Sequence, residues 1–471
     1  MARAQGRCDL SKGFVGSVTT MPLAGGLTGG TQTAGARAGR RRGRGALPFA
    51  RWMCVLLSLA CVASVVPSHA TEFTWTGGGA TGNWTEGSNW GPTSFFPPFP
   101  NRDGHDLFFN LANRLSSTND VSAPAVTYRS IQFLPAGGSA VGAGAYTISG
   151  TSLGVSGTLA NSSTNTQTFT VTSLNTPGPT ATTVSVTGAP IVLNTILTGS
   201  GGIAKTGGGQ LSILRSPTMT GATGVSAGTL ITGTGVTTYA GPLNVTSTGT
   251  VQVLAPTDFA AVTMTGGRLM PGGTSSTSFV TMSVDSLALS GSSIVTMGVG
   301  QKPASDTITV TGTNAGALAY GGTLQLDLAG LGTTQYPIFD ATYSLFNFGA
   351  GTATGNLASI TSINGSGQYA GLTWTRNGSL WTSTEFSGQP GLFFEFSQSA
   401  GTLAVVPEPS TYAMAGLGLA GVVLMRWRRK APKAASALLL AGMIVGFAAW
   451  PGSSGRPETA GRVTNVGGQH A

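Results

Sequence analysis

This chain has almost no cysteine, little histidine and very little charge over most of its length. Cys8, Cys54 and Cys61 are its three cysteines. Beyond residue 61 the chain can form neither disulfides nor thiolate metal sites, so burial and backbone pairing must stabilise it. Residues 71–406 hold eight Lys or Arg and twelve Asp or Glu. That is about 6% charged, against roughly 25% in ordinary domains. The chain's net charge of +9 arises in its two ends, where nine basic residues precede residue 71 and seven follow residue 406. A nucleic-acid partner is excluded, because the middle lacks a basic face. His105 is the one histidine of that middle segment. No phosphate-binding glycine motif, nucleophile elbow or His-Glu-x-x-His pattern occurs. No long stretch outside the two ends has helical periodicity.

What is abundant is Gly, Thr, Ser, Ala and Val. Residues 168–172 (Thr-Phe-Thr-Val-Thr), 183–187 (Thr-Val-Ser-Val-Thr) and 307–311 (Thr-Ile-Thr-Val-Thr) alternate at period two. They predict half-buried strands, and Gly and Asn punctuate them every few residues. Length and monotony favour a solenoid over a sandwich or closed barrel. At roughly 20–25 residues per rung, about a dozen turns are expected. Rungs about 4.8 Å apart would make a rod on the order of 50–60 Å long.

The N-terminal end has the form of a secretory signal. Arg37, Arg40, Arg41, Arg42, Arg44 and Arg51 precede an apolar run at residues 52–66, and Ser68-His69-Ala70 supplies small residues for cleavage. The predicted cut lies between Ala70 and Thr71. The n-region is long, and Met21 and Met53 are alternative starts. The route implied is the Sec translocon.

The other end has three parts. Pro407-Glu408-Pro409 comes first, an apolar Gly/Ala/Leu stretch at residues 413–425 second, and Arg426, Arg428, Arg429 and Lys430 last. The prolines keep the segment extended and accessible. The apolar stretch suits a bilayer, and the cations stay cytoplasmic. This order resembles the PEP-CTERM sorting signal of bacteria. The resemblance implies a membrane helix and an exosortase-like enzyme that processes the protein beside Pro407-Glu408-Pro409, with Arg426, Arg428 and Arg429 as the basic cluster. One departure is that the chain continues after Lys430. Residues 434–450 form a second apolar stretch, either a second span or read-through, and residues 451–471 are small and polar.

Residues 199–214, followed by 219–230, resemble the autotransporter-associated β-strand repeat, in which Gly-Leu-x-Lys-x-Gly-x-Gly-x-Leu-x-Leu precedes Thr-Gly-x-Thr-x-Val-x-x-Gly-x-Leu. One good copy is present. Residues 267–273 and 321–328 echo the downstream pattern more loosely. The resemblance implies a right-handed parallel β-helix. Trp75, Trp84 and Trp90 open the exported part, as in similar passengers, and are expected to cap the first rung. The rival reading is a carbohydrate-stacking face.

The densest polar cluster is Arg102-Asp103-Gly104-His105-Asp106, a cation or catalytic-histidine candidate, more simply a turn with capped backbone groups. Asp285, Asp306 and Asp327 recur at a spacing of 21 residues. Stacked on adjacent rungs they would form a carboxylate ladder; periodic turn residues are the simpler account. Thr-x-Thr triplets of the kind that order ice are scattered rather than set at a rung period.

The expected protein is mainly β, a right-handed parallel β-helix with a C-terminal transmembrane helix. Residues 1–70 are the signal peptide, 71–110 a Trp-rich cap, 111–335 the solenoid and 336–400 an aromatic-rich β unit. Residues 401–430 are a linker plus the sorting signal, and 431–471 the second apolar segment and tail. No cofactor, metal or catalytic residue is expected. The function expected is that of an exported structural or adhesive protein of the surface or matrix, alongside exopolysaccharide. The alternative is a polysaccharide-active enzyme, or a carbohydrate- or ice-binding protein, on the same scaffold.

Overall fold

The computed structural model describes residues 70–91, 103–121, 126–136, 142–274, 278–301, 304–314, 316–332, 341–349, 351, 353–407, 418–422 and 426. Residues 1–69 and 92–102 lie outside the described residues, and with them most of the predicted signal peptide.

From Glu72 to Ile363 the chain builds two long sheets, one of 18 strands and one of 11. Almost every pairing in them is parallel, and each strand pairs with one a coil earlier or later. Local alternation explains the strands, and stacking explains the pairing. In the 11-stranded sheet one inward column runs Ile191, Leu211, Leu230, Val251, Leu269, Val295, Leu324, Ile360. All eight are buried. Each such burial is worth roughly 1.5–3 kcal/mol, and a slip by one residue would turn the whole column outward. The 18-stranded sheet has a matching column, Phe73, Leu107, Ile131, Leu159, Val184, Lys205, Val225, Val245, Met264, Leu289. Nine of its ten members are apolar. These long parallel sheets are the arrangement of a β-solenoid.

Corners need glycine where successive coils approach. Gly207 has φ +73°, and a Cβ there would lie 2.4 Å from the Val186 carbonyl oxygen. Gly228, φ +67°, would meet the Gly207 carbonyl at the same distance. Only glycine relieves both the sign of φ and the contact.

The coils are not uniform. Register neighbours lie 18 residues apart at Val251 and Leu269 but 36 apart at Leu324 and Ile360. This breaks the stacking suggested by the even spacing of Asp285, Asp306 and Asp327. Asp285 lies in strand Thr281–Leu289, Asp306 just before strand Thr307–Val310, and Asp327 ends strand Thr323–Asp327 in the other sheet. They form no ladder.

The coils end against a five-stranded antiparallel sheet, ordered Thr342–Ser344, Thr402–Pro407, Leu392–Ser397, Leu380–Ser383, Trp374–Asn377. Residues 401–406 read as a linker in the sequence, but most of them form its second strand. The reason is alternation: Leu403 and Val405 point inward and are buried. Phe346 meets Phe396 edge-on at 6.3 Å, and Leu345 and Phe346 donate backbone bonds to the Gly401 carbonyl. These contacts tie the sheet to the last coils. Among the described residues no helix is long and apolar enough to cross a membrane. The predicted span at residues 413–425 lies mostly outside the described residues.

Candidate functional site

Sorting segment. Strand Thr402–Pro407 pairs along its length with Leu392–Ser397, and Pro407 stands opposite Leu392 at the final position. A proline there needs no ladder donor and ends the pairing. Among the described residues the β-pairing therefore reaches the first residue of the Pro-Glu-Pro element. Glu408, Pro409, Arg428 and Arg429 lie outside the described residues. Residues 418–422 and Arg426 are helical. Leu419 and Val422 there are 73% and 62% exposed, the most exposed large apolar side chains among the described residues.

At the other end, the predicted cleavage point between Ala70 and Thr71 sits directly before the first strand, Glu72–Trp75. The backbone N–H of Thr71 donates to Nδ1 of His105 at 3.3 Å, and the Thr71 carbonyl accepts from the Asp106 N–H at 3.1 Å. The residue that would become the mature terminus is thus already fixed to the second coil.

The polar cluster around His105 is committed to structure. Asp103 Oδ1 accepts from the Thr127 N–H at 2.7 Å. Asp106 is buried and accepts from Arg129 Nε at 3.0 Å and Ser130 Oγ at 2.6 Å. Burial opposes its ionisation, but those bonds and the Arg129 charge hold its carboxyl below the ordinary value. Among the described residues, no three His, Cys, Asp or Glu side chains gather as a metal would require.

Trp75, Trp84 and Trp90 are all buried. Trp75 and Trp84 each meet Trp90 edge-on, at 5.0 and 5.6 Å, and Phe109 packs against all three. Sunk into the first coils, these rings have no face for a sugar. The outward column Thr183, Ala204, Gly224, Asn244, Thr263, Ala288 shows no threonine array.

Three buried polar groups were given no such place in the sequence reading. Lys205 is fully buried within the apolar column, and its Nζ donates to the carbonyls of Thr206 (2.9 Å), Gly207 (2.8 Å) and Ala227 (3.1 Å). Burial pulls its pKa down to about 8. Its signal was its place two residues after Ile203, on the inward phase of the alternation. Asp306 is 3% exposed; Oδ1 accepts from the Val280 N–H at 2.8 Å and Oδ2 from the Gly298 N–H at 2.7 Å. Burial pushes it up to about 7, against those two bonds and with help from the Asp327 charge. Tyr320 has a buried hydroxyl with no partner among the described residues.

Residues 405–430 match the PEP-CTERM protein-sorting motif. No curated protein and no solved structure matches the chain significantly. The motif begins inside the last strand and runs through the apolar and basic stretches, so it spans Pro407, Glu408, Pro409, Arg426, Arg428 and Arg429. The chain thus carries, beginning within its last described strand, the sorting signal of exported surface proteins processed by an exosortase.

Proposed function

We propose that this protein is a non-catalytic structural or adhesive component of the cell surface or extracellular matrix, working alongside exopolysaccharide. It crosses the membrane through the Sec translocon and loses residues 1–70. A helix within residues 413–430 then holds it in the bilayer until an exosortase-like enzyme processes it at Pro407-Glu408-Pro409. Its body is a right-handed β-helix of the autotransporter-associated repeat type.

The observation that carries this reading is the junction at Pro407. The last described strand overlaps the start of the sorting motif, and its pairing reaches Pro407, so processing just beyond it would release the folded body whole. The low charge of residues 71–406 suits a neutral, hydroxylated partner. The carboxylates support a non-catalytic role. Glycoside hydrolysis needs two carboxyl groups facing one cleft, whereas Asp306 is buried on backbone donors and Asp327 accepts from the Ala329 N–H and Asn364 Nδ2.

Intact mass and terminal sequencing of the protein from surface or matrix fractions test the proposal. A start at Thr71 and an end near residues 407–410 are expected. A C-terminus still at Ala471, or a chain found free in the cytoplasm, would overturn it.

A further inference from the structure

A cavity of about 270 Å³ opens between the last coils and the closing sheet. That is just under the usual range for small-molecule sites, about 300–1,000 Å³. It is lined by Tyr320 and Phe348 from the coils, Asn356 beside Gly355, and Ser379, Gln398 and Ser399 from the closing sheet. None of its lining residues is charged.

The lining is built rather than incidental. Tyr320 is 5% exposed, yet its hydroxyl has no hydrogen-bond partner among the described residues. Gln398 is 3% exposed and is fixed on three sides. Its Oε1 accepts from Trp381 Nε1 at 2.9 Å and the Leu357 N–H at 3.1 Å, and its Nε2 donates to Asn356 Oδ1 at 3.1 Å. The amide pair is thus held in place before any ligand arrives. Phe348 adds a half-buried aromatic wall. Ser379 and Ser399 add exposed hydroxyls at the mouth.

From this geometry we infer that the cavity binds one hexose unit of a neutral glycan. An aromatic wall suits the apolar face of a sugar ring, while the Asn356 amide and two serine hydroxyls suit its hydroxyls. The absence of charged lining disfavours acidic sugars and phosphates. Placement agrees. Gln398 and Ser399 sit at the turn joining Leu392–Ser397 to Thr402–Pro407, whereas Pro407 is at the opposite end of that hairpin. Six residues of strand, roughly 20 Å, separate the cavity from the sorting segment, so the mouth stays clear of the membrane. The inference deepens the matrix role proposed above and rests on it only for the source of the sugar.

The test is saturation-transfer NMR and titration on the full chain in a detergent without a sugar headgroup. The probes are glucose, galactose, mannose, glucuronate and neutral gluco-oligosaccharides. Saturable binding of a neutral sugar is expected, with a dissociation constant on the order of 1 mM, and none of glucuronate. Asn356→Ala removes an exposed amide from the cavity wall and should weaken binding roughly tenfold, the loss expected for one neutral hydrogen bond. Ser379→Trp, a surface change that plugs the mouth, should abolish it with the melting temperature unchanged. Tighter binding of oligosaccharides would identify a glycan chain as the ligand, and equal binding a chain end or free sugar; both support the site. No saturable binding across the panel, or binding untouched by both variants, would overturn it. Terminal mapping of the natural protein is independent of this outcome, so sorting and sugar binding can fail separately.

Discussion

The ammonium of Lys205 donates to the carbonyl of Ala227, one coil further along the solenoid, at 3.1 Å. The same nitrogen bonds the carbonyls of Thr206 and Gly207 at its own corner. One side chain thus joins two successive corners from inside the core. Lys205→Met would keep most of the volume and remove the donor, leaving inward carbonyls unsatisfied. A loss of about 1–3 kcal/mol in urea unfolding is expected, the charged bonds being offset in part by the cost of burying the charge. Unchanged stability would show that the corner carbonyls are satisfied without the ammonium.

Asp306 predicts a pH dependence. Its folded pKa, about 7, lies above the ordinary 3.8, so the folded state holds the proton more tightly than the unfolded chain. Its contribution to stability is full below about pH 4 and is lost as pH rises through 7, a change on the order of 4 kcal/mol. Chemical unfolding between pH 4.5 and 8 should show stability falling with pH. Asp306→Asn should flatten that slope, while losing one of the two backbone bonds because its amide nitrogen cannot accept.

The tryptophan cluster predicts a cap rather than a ligand face. Trp84 is fully buried, with Trp90 and Tyr128 each 5.6 Å away. Trp84→Ala should cost about 3–5 kcal/mol and leave the cavity at Tyr320 unaffected. A thermal melt and the sugar titration read the two effects separately.

The junction at Pro407 predicts a separation of folding from processing. Replacing Pro407, Glu408 and Pro409 by alanine should leave the stability of the β-structure within about 0.5 kcal/mol. In cells the same change should make the unprocessed chain accumulate at the membrane, visible as a larger band on immunoblotting. Normal processing of this variant would mean that the enzyme reads another part of the tail.

The strands themselves were largely legible where apolar residues alternate, although of residues 168–172 only the first two lie in a strand, Gln167–Phe169. Residues 183–187 and 307–311 lie at or beside the observed strands Thr182–Val186 and Thr307–Val310. The sorting segment was legible too, since its proline, apolar and basic parts are contiguous in sequence. Less was visible at the closing sheet. Gly401 suggested a linker, but the burial of Leu403 and Val405 against neighbouring strands holds the chain in register as far as Pro407. The even spacing of Asp285, Asp306 and Asp327 could not decide between a ladder and separate places for a related reason: equal spacing along the chain places residues one above another only if every coil has that length, and here register neighbours lie 18 residues apart in one place and 36 in another.

The sequence by itself determined that this is an exported, mainly β chain without cysteine in its body and with a sorting signal at its tail, because those properties reside in composition and in short contiguous motifs. Tertiary structure alone decided that Lys205 bonds the corner of the next coil, that Asp306 is buried on the N–H groups of Val280 and Gly298, and that Tyr320, Asn356, Ser379 and Gln398 enclose one cavity. Each of these joins residues brought together by the stacking of unequal coils. Local alternation fixes which way a side chain faces, but not what lies above it.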